Sequence, residues 1–213
     1  MAARPATFPE RVAWIAGGLY VLLTVLVAIH ATDPLDADVR QWFRPDDVWG
    51  PTQLKADRVV EALSPRHVAP LLLLCAVLVA AVRRSWEPLR VALEVGVATI
   101  VVVGMTQLLL GRPDTHGQVA RLSGSYPSGH TTALLAVLGG CALVVSTRPP
   151  RLLWPPVLLV DLVMGWCLLL EAAHWPTDVV GGLLAGVAVV AWAAGRRERR
   201  VERVALPLSV GRR

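Results

Sequence analysis

Three short polar stretches of an otherwise apolar chain carry residue types that handle phosphate and protons. Tyr126-Pro127-Ser128-Gly129-His130 stands directly ahead of a hydrophobic run. A helix starting there presents unpaired backbone N–H groups and the positive end of its dipole, which suits an anion such as phosphate. Gly129 lets the backbone approach a ligand closely, and His130 carries or releases a proton near neutral pH. His174 and Asp178 lie four residues apart at the entry to the last apolar run. If a helix begins near Pro176, a favoured first position, the Asp178 carboxylate reaches the imidazole. It then orients the ring and stabilises positive charge on it, leaving the other nitrogen free as nucleophile or base. Arg112 closes a third apolar run on the same side. Each group has a plainer reading when taken alone. His130, and His174 with Trp175, also read as interfacial residues, Asp178 as a residue that favours a helix start, and Arg112 as a snorkelling anchor. Together they supply what phosphoryl transfer through a phospho-histidine needs: a nucleophile, an orienting carboxylate, a general acid and an anion cradle.

The elements that must position these groups are membrane helices. Of 213 residues, 54% are hydrophobic and only 17% charged, and the mean hydropathy is +0.54. That is too apolar for an ordinary soluble domain. The apolar runs predict six spans over about 11–30, 67–82, 89–110, 129–146, 152–172 and 177–195, within one all-α integral membrane domain covering 1–213, with 196–213 as a polar tail. The first run has a longer apolar core than a signal peptide and reads as a retained helix. Residues 31–66 read as a polar connection in which Asp33-Pro34 breaks the first helix. Within it, Thr52 to Leu63 has the pattern of a short amphipathic interfacial helix. Cys75, Cys141 and Cys167 fall inside apolar runs, with no disulfide framework and no metal spacing.

Six spans put both termini on one side. The segments on that side hold 14 of the 21 basic residues, against 7 in the opposite loops. By the positive-inside rule both termini are then cytoplasmic. The chain is expected in the cell membrane with its polar motifs on the extracytoplasmic face. The net charge of +5 sits in short clusters beside apolar runs, which fits membrane topology and gives no nucleic-acid partner.

Arg112-Pro113, Tyr126-Pro127-Ser128-Gly129-His130 and His174-Trp175-Pro176-Thr177-Asp178 resemble the three signatures of the type 2 phosphatidic acid phosphatase superfamily. These are lipid phosphate phosphatases, and they include bacterial undecaprenyl pyrophosphate phosphatases. The resemblance covers nearly the whole chain. It implies that His174 is the nucleophile, Asp178 its orienting partner and His130 the acid that protonates the leaving group. Arg112, Ser128 and the Gly129 backbone would hold the phosphate oxygens. No metal and no cofactor are implied, and the expected partners are a lipid-phosphate substrate and membrane lipids.

Two places depart from the family pattern. Met105 stands where the first signature has a Lys, and Cys167-Leu168 where the third has Ser-Arg. A charge-assisted hydrogen bond to a buried phosphate is worth roughly 1.5–3 kcal/mol, so the loss of two costs orders of magnitude in rate unless another cation substitutes. Arg121 and Arg66 are candidates. Glu171, three residues before His174, would repel a phosphate unless it pairs with Arg112 or is protonated. Glu94 and Asp161 are intramembrane acids, suspect by default, with Arg90 and Arg151 as possible partners. The expected function is a membrane phosphatase acting on a lipid phosphate or pyrophosphate, foremost a polyprenyl carrier. The alternative is a weakened or inactive relative that binds a phosphorylated lipid or serves as a partner in envelope assembly. A small transporter using Glu94 and Asp161 is a third reading.

Overall fold

The computed structural model describes residues 5–119, 124–146 and 153–205, and these form eight helices. They are α1 Phe8–Ala28, α2 Asp33–Phe43, α3 Pro51–Ala62, α4 Pro65–Arg83, α5 Glu87–Leu110, α6 Gly129–Val145, α7 Trp154–Leu170 and α8 Pro176–Ala205. Seven have Pro at the first or second position. There the missing N–H has no intrahelical partner to lose and the fixed φ suits the helix.

Helix α6 is the axis of the fold. It packs against α4, α5, α7 and α8 and is buried along most of its length, from Thr131 to Val144. Small residues allow this close packing: a Cβ on Gly139 would lie 2.9 Å from Val190 Cγ1, and one on Gly140 would lie 2.9 Å from Leu72 Cδ1. The outer helices show the opposite pattern. Trp14 and Ile15 of α1, Leu73 of α4 and Ile100 of α5 are exposed, as expected of helices whose outer surface meets lipid tails instead of water.

Among the described residues, four helical stretches are long and apolar enough to cross a membrane: Phe8–Ala28, Pro51–Arg83 (α3 running into α4), Glu87–Leu110 and Pro176–Glu202. Helices α6 and α7 are apolar but have 17 residues each. At 1.5 Å per residue they reach about 26 Å, slightly short of a hydrocarbon core of about 30 Å. The protein is an all-helical membrane protein.

The region 31–66 is more ordered than a polar connection. Helix α1 already ends at Ala28, with His30 in the left-handed conformation at φ 61°, and the Asp33-Pro34 pair starts α2 instead, a helix absent from the polar-connection reading. Phe43 of α2 packs edge-on against Trp166 of α7, ring centroids 4.8 Å apart. The expected amphipathic helix is present as α3, which buries Ala56 and Val60 where it meets α7. Between α2 and α3, buried Arg44 donates from Nη1 to the Glu171 carbonyl at 2.8 Å and from Nη2 to the Asp47 carbonyl at 2.9 Å.

The expected polar tail is helical in its first part, and 206–213 lie outside the described residues. Helix α8 runs on through the arginine cluster to Ala205, because those arginines have partners across the bundle. Arg200 donates to Glu94 at 2.8 and 3.0 Å and to Glu87 at 3.0 Å. Arg196 lies 3.3 Å from Glu94, and Arg199 pairs with Glu10. Glu94 is therefore held by α8 and not by Arg90. Asp161 is fully buried, and its carboxylate has no hydrogen-bond partner among the described residues. Arg121 and Arg151 lie outside the described residues.

Candidate functional site

Three chain segments converge at the end of the bundle where α5 stops and α6 and α8 start. The first is the exit of α5. Gly111 takes the left-handed conformation at φ 53°, where a side chain would strain the backbone, and Arg112 follows it. The second is the turn ahead of α6. Ser125 N donates to the Arg112 carbonyl at 2.8 Å, and Ser125 Oγ to the Pro113 carbonyl at 3.0 Å. Gln107 Nε2 donates to the Pro127 carbonyl at 3.1 Å. The third is the start of α8, tied to the second where Ser128 N donates to the Asp178 carbonyl at 2.9 Å. Gly181 and Gly182 make that approach possible. A Cβ on Gly181 would lie 2.6 Å from the Tyr126 ring, and one on Gly182 would meet Thr131 and lie 2.8 Å from the Ser128 carbonyl.

Helix α8 positions the His–Asp pair through its own capping. Trp175 precedes the first helical residue, and Asp178 is the third. Its Oδ2 reaches back to accept the Trp175 amide at 3.0 Å, the carboxylate arm of a capping box. The same Oδ2 lies 3.4 Å from His174 Nδ1, and Oδ1 accepts from Arg112 Nη1 at 2.7 Å. Asp178 is completely buried. The His174 ring faces that of His130, with centroids 6.1 Å apart and planes at 68°. The two rings meet edge-on.

Ser128 caps α6. Its Oγ accepts the Thr131 amide at 3.5 Å and its carbonyl accepts the Thr132 amide at 3.1 Å. The amides of Gly129 and His130 come first in the helix and point out of its start, as a helix N-terminus dictates. Tyr126 is buried beneath the turn, stacked on Tyr20 at 6.2 Å and bonded to Thr24 at 3.0 Å. Burial raises the pKa of its hydroxyl, so it stays neutral.

Arg112 is the most constrained cation here. Nη1 donates to Asp178 Oδ1 and to Thr177 Oγ1 at 2.8 Å, and Nη2 donates to Asp36 Oδ2 at 2.6 Å. Asp33 lies 3.9 Å away, and the guanidinium sits 5.5 Å from the Trp175 ring centroid. Three of its five N–H donors are thus engaged among the described residues.

Asp36 is the site residue that the sequence reading missed. It is 1% exposed, accepts Thr177 N at 3.0 Å and Thr177 Oγ1 at 2.6 Å, and so joins α2 to α8 and Arg112. The available signal was the Asp-Pro pair, which marks a helix start as readily as a helix end.

The structure gathers His174, His130, Asp178, Arg112, Ser128 and Gly129 at one place. It does not bring Arg66 there, since Arg66 is 68% exposed and pairs with Glu61. Glu171 is buried at the end of α7 with Oε1 unpartnered among the described residues, and Arg112 pairs with Asp36 and Asp178 instead. Neither departing position carries a cation into the site: Met105 is 53% exposed and Leu168 fully buried.

The arrangement offers a nucleophilic or basic imidazole, a second imidazole across a gap, and an anion cradle of helix-start amides and partly free guanidinium. Comparison with known proteins bears on the fold and the family. The fold matches the crystal structure of a transmembrane PAP2-type phosphatidylglycerolphosphate phosphatase from Bacillus subtilis, with a TM-score of 0.75, 17% sequence identity, 88% of this chain covered and 96% of that one. No curated protein matches the sequence. The family model of the PAP2 superfamily matches residues 17–202, a stretch that contains every side chain gathered at this site, and the chain belongs to that superfamily.

Proposed function

We propose that this protein is a membrane phosphatase that hydrolyses a lipid phosphate or pyrophosphate, foremost that of a polyprenyl carrier, through a phospho-histidine. The observation that carries this reading is His174, held at Nδ1 by a buried carboxylate and facing His130 across a short gap. His174 Nε2 attacks phosphorus and the P–O bond to the leaving group breaks. His130 delivers a proton to the departing oxygen, and Asp178 stabilises the positive charge on His174. Water then attacks the phospho-histidine, His130 takes its proton, and inorganic phosphate leaves with His174 restored. Arg112 and the Gly129 and His130 amides bind the equatorial oxygens, and Ser128 fixes the helix start that presents them.

In the membrane, α1, α4, α5, α6, α7 and α8 form six spans of a single domain. Both termini are cytoplasmic and the site lies at the extracytoplasmic face of the cell membrane. The positive-inside count supports this orientation.

The test is phosphate release from a panel containing a polyprenyl diphosphate, phosphatidic acid and phosphatidylglycerol phosphate. The wild type releases phosphate from at least one member and His174→Ala from none, while Asp178→Asn and His130→Ala are strongly impaired. Full activity in His174→Ala overturns the reading.

A second reading, a non-hydrolysing relative that binds a phosphorylated lipid, is favoured by one observation: the two carboxylates already paired with Arg112. Saturable binding of a panel lipid without any phosphate release selects it.

A further inference from the structure

At the opposite end of the bundle a cavity of about 190 Å³ opens between the end of α4, the start of α5, the end of α6 and the arginine-bearing part of α8. Arg83, Arg197 and Glu87 line it on one side, and Val91, Leu143 and Val144 form an apolar wall. Arg83 donates to the carbonyls of Val144 at 3.0 Å and Val145 at 2.5 Å. Arg197 donates to those of Leu143 at 2.7 Å and Ser146 at 2.6 Å. Each guanidinium has five N–H donors, so among the described residues three remain on each. Both guanidinium groups line the same cavity, and the Glu87 carboxylate beside them is held by Arg200 at 2.9 Å. Val82 and Trp86, the chain neighbours of the lining residues Arg83, Ser85 and Glu87, are 85% and 82% exposed. An exposed Trp beside arginines is what a membrane–water interface selects.

We propose that this cavity binds the phosphate of an anionic phospholipid, taken from the leaflet that meets the arginine-rich end. An anion in the cavity meets two cations whose carbonyl contacts leave guanidinium donors unused among the described residues. The apolar wall suits the glycerol and the first acyl carbons, and it disfavours free, fully hydrated phosphate. Basic pockets between membrane helices recognise lipid head groups by this chemistry.

The experiment is native mass spectrometry of the delipidated full-length protein in detergent, titrated with phosphatidylglycerol, phosphatidylcholine or inorganic phosphate. Phosphatidylglycerol is retained about fivefold more tightly than phosphatidylcholine, the effect of about one interfacial arginine. Arg83→Gln and Ser85→Glu, at exposed positions beside the cavity, each remove that preference, and Arg83→Lys keeps it. Thermal unfolding in phosphatidylcholine serves as the check that each variant is folded. Equal retention of the two lipids overturns the proposal, as does a phosphatidylglycerol preference unchanged in both variants. Complete displacement of phosphatidylglycerol by inorganic phosphate also overturns it, because the site is then one for the free ion.

Discussion

The two ends of the bundle hold their charges in opposite ways. At the motif end one guanidinium, Arg112, is gripped by two buried carboxylates, Asp36 and Asp178, with Asp33 at 3.9 Å. At the other end Arg196, Arg199 and Arg200 share Glu10, Glu87 and Glu94, while Arg83 and Arg197 bind the terminal carbonyls of α6. The arginine-rich end is therefore built around its cations, with donors left for an anion. The motif end is built around its carboxylates, which fix Arg112, Thr177 and His174 in place. A phosphate there meets a site whose strength lies in positioning more than in positive charge. The helix-start amides of α6 must carry much of the anion's load.

The sharpest way to break this contrast is to remove the proposed nucleophile. His174→Ala lowers phosphate release by ~10³-fold or more, and thermal unfolding in detergent checks that the variant is folded. Removal of the second carboxylate has a different outcome. Asp36→Ala strands Arg112 Nη2 and two Thr177 donors in a buried place, a loss of about 3 kcal/mol. Thermal unfolding in detergent measures it directly. A midpoint equal to wild type would show that α2 is dispensable for the site and that the two ends are less different than the geometry makes them.

Most of the architecture was legible because a bilayer leaves a chain few choices. Runs of apolar residues ended by Arg-Arg, Gly-Arg-Pro or His-Trp-Pro are helices cut by polar turns, and six of the eight helices follow from that. The meeting of Ser128, Gly129, His130, His174 and Asp178 was legible because they sit at or just before helix starts, where local sequence fixes the geometry. Asp36 was not legible. Its role rests on contacts with residues 76 and 141 positions away, and nothing local to Asp33–Phe43 announces them. The continuation of α8 was hidden for the same reason: a run of arginines reads as a solvated tail until Glu87 and Glu94 are seen opposite it. The grip on Arg112 was hidden too, since an arginine at a helix exit is indistinguishable in sequence from a snorkelling one.

The same substitution at the two ends of α8 sharpens the comparison further. A Cβ at Gly182 meets Thr131 and the Ser128 carbonyl at 2.8 Å, and that backbone is fixed by the turn. A Cβ at Gly195 meets Glu10 Cγ at 2.8 Å, a side-chain atom and not backbone. Gly182→Ala therefore destabilises by about 2 kcal/mol and also lowers phosphate release, because it pushes the His174–Asp178 segment away from His130. Gly195→Ala costs less than about 1 kcal/mol and leaves phosphate release at the wild-type rate. Equal effects in thermal unfolding and activity would remove the distinction between a rigid and an adaptable end.

The smallest expected effect tests how dry the underside of the site is. Burial raises the Tyr126 pKa, whereas in the unfolded chain the phenol titrates near its ordinary value of about 10. Above that pH the unfolded state releases a proton that the folded state keeps, so the unfolded state binds fewer protons and stability falls as pH rises. Thermal unfolding between about pH 9 and 11 should therefore show a downward slope that Tyr126→Phe reduces. At neutral pH the substitution costs only the Thr24 hydrogen bond, about 1 kcal/mol. An unchanged alkaline slope in Tyr126→Phe would mean that water reaches the phenol, and that the turn carrying Ser128 and Gly129 rests on a wetter base than its packing against Gly181 implies.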